Sequence, residues 1–363
     1  MDGDTLSFIM WLVALAIFSY ITQEMQILKA ISEVEGYVAL FRGIRDKAVK
    51  VLVDQFSKYT ASSEGASRDV LEQRILSLIE TRIILPVDLD PYGIVRKIKH
   101  VLRTSEVELE KEVSRIAKGA SRTEVQRLSS LVEVARELNL VYKLVNHYYL
   151  IARKFKSLWL VLQLNAQMPF VLEEVKAIEG ALESFSKGIP VGDSAGPLVA
   201  ALLARKYKGS FVEPVKDTEI SQVTVDGKKV FIVKAKGPGS TTGHLEEALS
   251  WIFSREKVSL IVSVDAALKL EGEESGSVAS GYGVAMGGIG VERFEIEELS
   301  TKHGVPLFAV LIKMSEAEAL SVMTEKVYQG VQQAVRIVED IISRAPEGSS
   351  IVVLGVGNSL GVP

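Results

Sequence analysis

The sequence predicts three parts in order: an N-terminal transmembrane helix over residues 1–28, an all-α middle over 29–187, and a C-terminal three-layer α/β domain over 188–363. The last should hold a mostly parallel sheet. Three observations carry this. Leu6 to Ile21 (LSFIMWLVALAIFSYI) contains no charge. Residues 26–187 repeat apolar positions at the helical period with few strand signals. From Gly188 onward glycine and β-branched residues increase, and helical segments alternate with apolar strands, which is the pattern of βαβ units.

Composition sets the bounds. A chain of 363 residues, 47% hydrophobic, is long enough for two or three full cores. The net charge is −4 and the basic residues are spread over helices that also carry Glu, so no nucleic-acid partner is expected. There is no cysteine, which excludes disulfides, thiol catalysis and Cys-based zinc sites.

The apolar run, extended to Gln23, nearly spans a hydrocarbon core of about 30 Å. Trp11 and Tyr20 suit interfacial positions, so a lipid bilayer is the expected partner of residues 6–23. A signal peptide would want Lys or Arg before the run, but Asp2 and Asp4 precede it. Lys29, Arg42, Arg45, Lys47 and Lys50 follow it, which places the N-terminus outside and the bulk of the chain in the cytoplasm of a single-pass cell-membrane protein.

In the middle part, a helix closing near Tyr59 is followed by a polar break, Thr60 to Ser67, and the helical period restarts through Val70, Leu71, Ile75 and Leu78. Asp90 reads as an N-cap and Pro91 as a first helical residue. Val95 to Ala117 has the charge pattern of a solvated helix face. A further helix begins near Ser121 or Thr123. Val141 to Lys156 is aromatic and basic; a core helix with a solvated edge is preferred over one lying near anionic headgroups. Gln163, Asn165 and Gln167 argue against a second span in the apolar stretch that follows. His100 and His147 read as ordinary helix residues, and no chemistry is expected in this half, which reads as a stalk or interaction domain.

In the last part, Asp193 sits in a Gly-bounded turn before a helix, Ala195 to Lys206, where its plain role is capping. A hairpin follows through Asp226-Gly227, a strong type I′ signal. Val230 to Ala235 is a strand running into a Gly-rich loop: Gly237, Pro238, Gly239, Ser240, Thr241, Thr242, Gly243. After a helix, the strand from Val258 to Val264 ends on Asp265. Ser277 to Gly290 is rich in glycine, a helix runs from Arg293 to His303, and Leu307 to Ile312 is a strand. Ser315 to Ser343 reads as one long helix, and Ile351 to Leu354 is a strand leading to Gly355, Gly357 and Asn358. In an open parallel sheet these loops share the carboxyl edge, where ligands bind. A nucleotide site is disfavoured, because the Gly loop has no P-loop lysine and Gly355-Val356-Gly357 lacks the downstream glycine and helix of a dinucleotide fingerprint.

Five segments in order carry a resemblance: Val191 to Val199 (VGDSAGPLV), Gly237 to Ala248 (GPGSTTGHLEEA), Val262 to Leu268 (VSVDAAL), Gly281 to Val291 and Gly304 to Val310. They resemble the spore germination protease and, more distantly, the hydrogenase maturation endopeptidases and a related sporulation protein, and the resemblance implies a phosphorylase/hydrolase-like fold for this domain. The family's strand ending in G-x-G-N precedes its Asp turn; here it stands at Ile351 to Asn358, so the resemblance implies a circular permutation. As a whole, the chain looks like an uncharacterised archaeal membrane-anchored family. The resemblance implies a catalytic pair, Asp193 and Asp265, with Gly-loop amides and Ser240, Thr241 or Thr242 around a developing oxyanion. Gly237, Gly239, Gly243, Gly355, Gly357 and Asn358 complete the expected ligand-binding set.

No cofactor is expected. A divalent metal at Asp193 and Asp265 is the less favoured alternative, because Val284 stands where the family has histidine. The function expected is a membrane-anchored cytoplasmic peptidase or amidohydrolase acting on a peptide or protein. The alternative is a non-catalytic membrane-tethered scaffold, or a ligand-binding protein, using the same cleft.

Overall fold

The structure, a computed structural model, describes residues 3–60, 68–87, 93–288 and 290–363. The expected helix start at Asp90 and Pro91, and residues 61–67 of the polar break, lie outside the described residues. The first half is helical: α1 (Gly3–Thr60), α2 (Arg68–Glu80), α3 (Ile94–Ile116), α4 (Arg122–Phe155) and α5 (Leu158–Lys187). Helix α1 is one continuous helix of 58 residues, with no break near residue 28. Its N-terminal part is long and apolar enough to cross a membrane, and no residue of its most apolar stretch is buried.

Helices α1, α4 and α5 form a bundle whose register can be read from polar pairs. Against α4 the partners run antiparallel: Tyr59 with Glu124 at 2.7 Å, Arg42 with Tyr142 at 3.0 Å, and Glu24 with Lys156 at 3.9 Å. Against α5 they run parallel: Glu33 with Asn165 at 2.7 Å and Lys47 with Glu179 at 2.6 Å. Local chemistry fixes the helix ends. Ser121 and Glu124 form a reciprocal capping box at the start of α4, and Ser157 caps α5. Gly188 ends α5 in the left-handed conformation. Helix α2 buries Leu71, Ile75 and Ile79 in the bundle core. Helix α3 buries Leu109, Val113 and Ile116 there, and its other end reaches the second half of the chain.

The second half comprises α6 (Ala195–Lys206), β1 (Phe211–Val215), β2 (Thr218–Val225), β3 (Lys228–Ala235), α7 (Leu245–Phe253), β4 (Leu260–Leu268), β5 (Val278–Tyr282), α8 (Val291–His303), β6 (Leu307–Met314), α9 (Glu316–Leu320), α10 (Glu325–Arg344) and β7 (Ser350–Gly355). The strands form one mixed sheet in the order β1-β2-β3-β7-β4-β6-β5. The four central strands are parallel; β1, β2 and β5 add antiparallel edges. Alternation along β3 shows the layers. Val230 and Ile232 pack with α6 and α10 on one face, while Phe231 and Val233 pack with α7 on the other.

Several boundaries differ from the sequence expectation. The edge strands β1 and β5 have no counterpart in the sequence expectation. The long helix expected from Ser315 to Ser343 is two helices: Ser315 caps α9, Thr324 caps α10, and the segment between them pairs with Pro190–Gly192. Strand β4 continues three residues past Asp265 because β6 pairs with it as far as Leu268 and Met314. The Asp226-Gly227 turn has positive φ at both residues, 47° and 76°, as a type I′ hairpin requires.

The chain end returns to the start of this half. Gly361 N–H donates to the Pro238 carbonyl at 3.1 Å, and a Cβ at Gly361 would lie 2.5 Å from the Pro190 ring. Leu360 and Val191 are buried together in the helical core, so the two halves share apolar packing.

Candidate active site

The parallel strands β3, β7, β4 and β6 all end at one edge, and a cavity of about 420 Å³ opens there. Asp193 reaches it from the 3-10 turn Gly192–Ser194 that leads into α6. This turn can lie close to the sheet because Gly196 has no side chain: a Cβ there would sit 2.1 Å from the Val356 carbonyl oxygen and 2.5 Å from that of Val264. Asp265 reaches the cavity from within β4.

Neither aspartate has the plain role that the sequence allowed. Ser194 is at the N-cap of α6 and no side chain caps that helix. The Asp193 carboxylate instead accepts the Asn358 N–H at 2.8 Å. Asp265 does not close its strand; its carboxylate accepts N–H groups from Ala266 at 2.7 Å and Gly287 at 3.1 Å. Among the described residues no lysine, arginine or histidine bears on either carboxylate.

Burial therefore dominates the acidity of both. It raises Asp193 above the usual carboxylate range, against the opposing hydrogen bond from Asn358. Asp265 is pushed up to about 8, first by burial and then by the charge of Asp193, with the Gly287 and Ala266 N–H groups opposing. Two such carboxyls titrate as a pair, and near neutrality the pair retains a proton.

The residues expected to bind ligand separate into two groups. Thr242, Gly243 and Gly357 line the cavity. Gly237, Gly239, Ser240, Thr241, Gly355 and Asn358 do not line it; they build the wall behind. Ser240 bonds Ser130 at 2.7 Å and the Asn358 side chain at 3.1 Å. Thr241 N–H donates to the Ser359 hydroxyl at 3.4 Å, and the single proton of that hydroxyl is shared between the carbonyls of Lys236 and Gly239. Gly237 packs against the Val362 backbone, Gly239 against Gln126, and Gly355 against Gly196. Gly243 N–H is held by the Thr241 hydroxyl at 3.1 Å. The Gly-rich segment after β5 contributes instead: Gly287, Gly288 and Gly290 line the cavity, and Gly287 contacts Asp265 directly.

The helical half also lines the cavity. Lys99, Arg103 and Glu106 of α3 form one wall. Arg103 bonds Glu246 at 2.7 Å and Glu247 at 2.5 Å, while Lys99 bonds Glu246 at 3.2 Å and Glu295 at 2.5 Å. Glu292, on the same wall, is pushed up to about 7 by burial and then by Glu246. The signal in the sequence was the spacing of Lys99, Arg103 and Glu106, which puts them on one helix face. It looks the same as an ordinary solvated stripe.

Among the described residues no three His, Cys, Asp or Glu side chains are grouped to hold an ion. His244 lines the cavity at the start of α7, and Val284 is buried in the core beneath the sheet edge.

Fold and site define a chain with two halves: a helical bundle with an apolar N-terminal extension, and an α/β half whose acid-lined cavity lies against the bundle's helix α3. The chain belongs to the DUF1512 family. The model described as the N-terminal domain of this protein of unknown function matches residues 8–188, and the model of its C-terminal domain matches residues 191–363. Comparison with curated proteins gives no match.

Proposed function

We propose that this is a membrane-anchored peptidase or amidohydrolase in which Asp193 and Asp265 act as a pair. The observation that carries the reading is their convergence, from separate elements, on one cavity, where among the described residues no lysine, arginine or histidine is paired with either carboxylate. Neutral and ionised carboxyls then coexist at working pH, which is what water-mediated amide hydrolysis needs. The ionised carboxylate takes a proton from water as the water oxygen bonds to the amide carbon. The protonated carboxyl gives its proton to the amide nitrogen as the C–N bond breaks. The proton taken from water then passes back across the pair, restoring its starting state.

The likeness to the spore germination protease draws support from the chain end. Gly361 lies against Pro190 and Asn358 N–H bonds Asp193, so the segment after β7 and the turn carrying Asp193 are neighbours in space, as a circular permutation requires. The anchor reading rests on α1, with residues 6–23 in the bilayer, the N-terminus outside and the folded halves in the cytoplasm.

The test is a peptide-library cleavage assay on the full chain in detergent, with wild type beside Asp193→Asn and Asp265→Asn. Each substitution should lower cleavage by about 10²-fold or more. Unchanged cleavage in both variants removes the pair from the mechanism. A second reading, a non-catalytic scaffold binding ligand in the same cleft, draws on the internal bonding of Ser240 and Thr241, which commits groups expected to face an oxyanion. It predicts peptide binding without turnover.

A further inference from the structure

The bundle ends where the apolar part of α1 begins. The last partners along α1 are Glu24, paired with Lys156, and Ala30, buried against Ala152 and Val161. Residues 3–23 project beyond them as a bare helix of about 30 Å, the thickness of a hydrocarbon core. The turn between α4 and α5 is therefore level with the end of the apolar run.

That turn is built unlike the end of a soluble bundle. Phe155 and Trp159 are 67% and 73% exposed, and Leu162 one turn further on is 46% exposed. Arg153, Lys154 and Lys156 alternate with them, and the Lys154 ammonium lies 5.5 Å from the Phe155 ring centre. Lys156 adopts a left-handed φ of 46°, where glycine is usual, so the turn keeps a cation at the expense of some strain. Aromatic rings beside basic side chains are what the headgroup layer accepts: the rings enter the acyl boundary and the cations meet lipid phosphate.

We infer that the α4–α5 turn is a second membrane contact, seated in the anionic headgroup layer of the bilayer that α1 spans. The inference rests on the anchor reading of α1. It fixes the bundle by two points, so that the bundle axis stands at a set angle to the membrane and the cavity at its far side keeps a set height above it. The anionic lipid is chosen over a protein partner by continuity with the apolar helix and by Arg153 and Lys154, since Lys156 is paired with Glu24.

The experiment uses the full chain in nanodiscs of mixed phosphatidylcholine and phosphatidylglycerol, brominated near the top of the acyl chain. The chain has three tryptophans, Trp11, Trp159 and Trp251. A W11F/W251F variant reports Trp159, and a W159F/W251F variant reports Trp11. Trp159 should be quenched by the brominated lipid and shielded from iodide, and Lys154→Glu should weaken that quenching by about twofold or more. Trp159 open to iodide and unquenched by lipid, while Trp11 is quenched, overturns this inference and leaves the anchor standing. Trp159 shielded from iodide but unquenched by lipid means that protein covers it, which also overturns it. Trp11 unquenched overturns the anchor and this inference together.

Discussion

Asp193 and Asp265 stand on different elements, one in a turn before α6 and one inside β4, yet the charge on the first helps hold the second up at about 8. The larger cause is burial, and the two causes can be separated. Asp193→Asn removes only the charge. The Asp265 titration should then move down from about 8 while staying above the ordinary carboxylate range. Infrared titration of the carboxyl band in the two chains measures it. An unmoved Asp265 would mean that the pair does not interact.

The same shift gives stability a sign. An acid whose folded value is above its unfolded one holds more protons folded than unfolded between the two values. Asp265 should therefore make the protein less stable as pH rises from about 4 to about 8, at no more than about 1.4 kcal/mol per pH unit. Glu292, pushed up to about 7, adds in the same direction over a shorter window. Asp265→Asn loses the hydrogen bond from Gly287, worth about 1 kcal/mol, but removes the buried charge. It should melt higher than wild type at alkaline pH and no higher at acid pH. Denaturation midpoints over a pH series check this.

On the α3 wall, Glu246 has a side chain only 2% exposed, and its charge is met by Lys99 and Arg103. K99A/R103A leaves it unpaired. The expected loss is about 2–4 kcal/mol, below the full cost of a stranded buried charge because Arg103 is partly exposed. Adding Glu246→Gln should recover most of it. Chemical denaturation of the three chains decides, and additive losses would contradict the pairing.

Gly357 has φ of 122°, and a Cβ there would sit 2.1 Å from the Asp193 carbonyl oxygen. Gly357→Ala should cost about 2–4 kcal/mol and displace the turn that carries Asp193. Alanine at Gly348, whose φ of 72° also favours glycine but whose Cβ would meet nothing within 4 Å, should cost less. Comparing their melting temperatures separates the clash from the strain of a positive φ.

Much of this could be read from the sequence where local chemistry and periodicity agree. Asp226-Gly227, the capped start at Ser121, and the helix from Ala195 to Lys206 depend on neighbours in the chain. Four parallel strands could be read from apolar runs, because a central strand is buried on both faces. The edge strands could not: β1 (FVEPV) contains a proline, and β5 (VASGY) has two small residues and a glycine, so both take their conformation from the strand beside them. The break after Leu320 could not, because it is set by pairing with Pro190–Gly192, distant in sequence. For the site, the aspartates could be read from the motifs around them. The contribution of α3 could not, since Lys99 and Arg103 find their acids on α7 and α8.

The central claim is that one carboxyl of the pair works ionised and the other protonated. It is tested most directly by the pH dependence of kcat/KM for peptide cleavage by the full chain, followed from about pH 4 to about pH 9. A bell is expected whose alkaline limb falls near 8, where the pair loses its shared proton, with no cleavage by Asp193→Asn or Asp265→Asn at any pH. A rate that stays flat through that limb, or no cleavage by wild type at any pH, would contradict it.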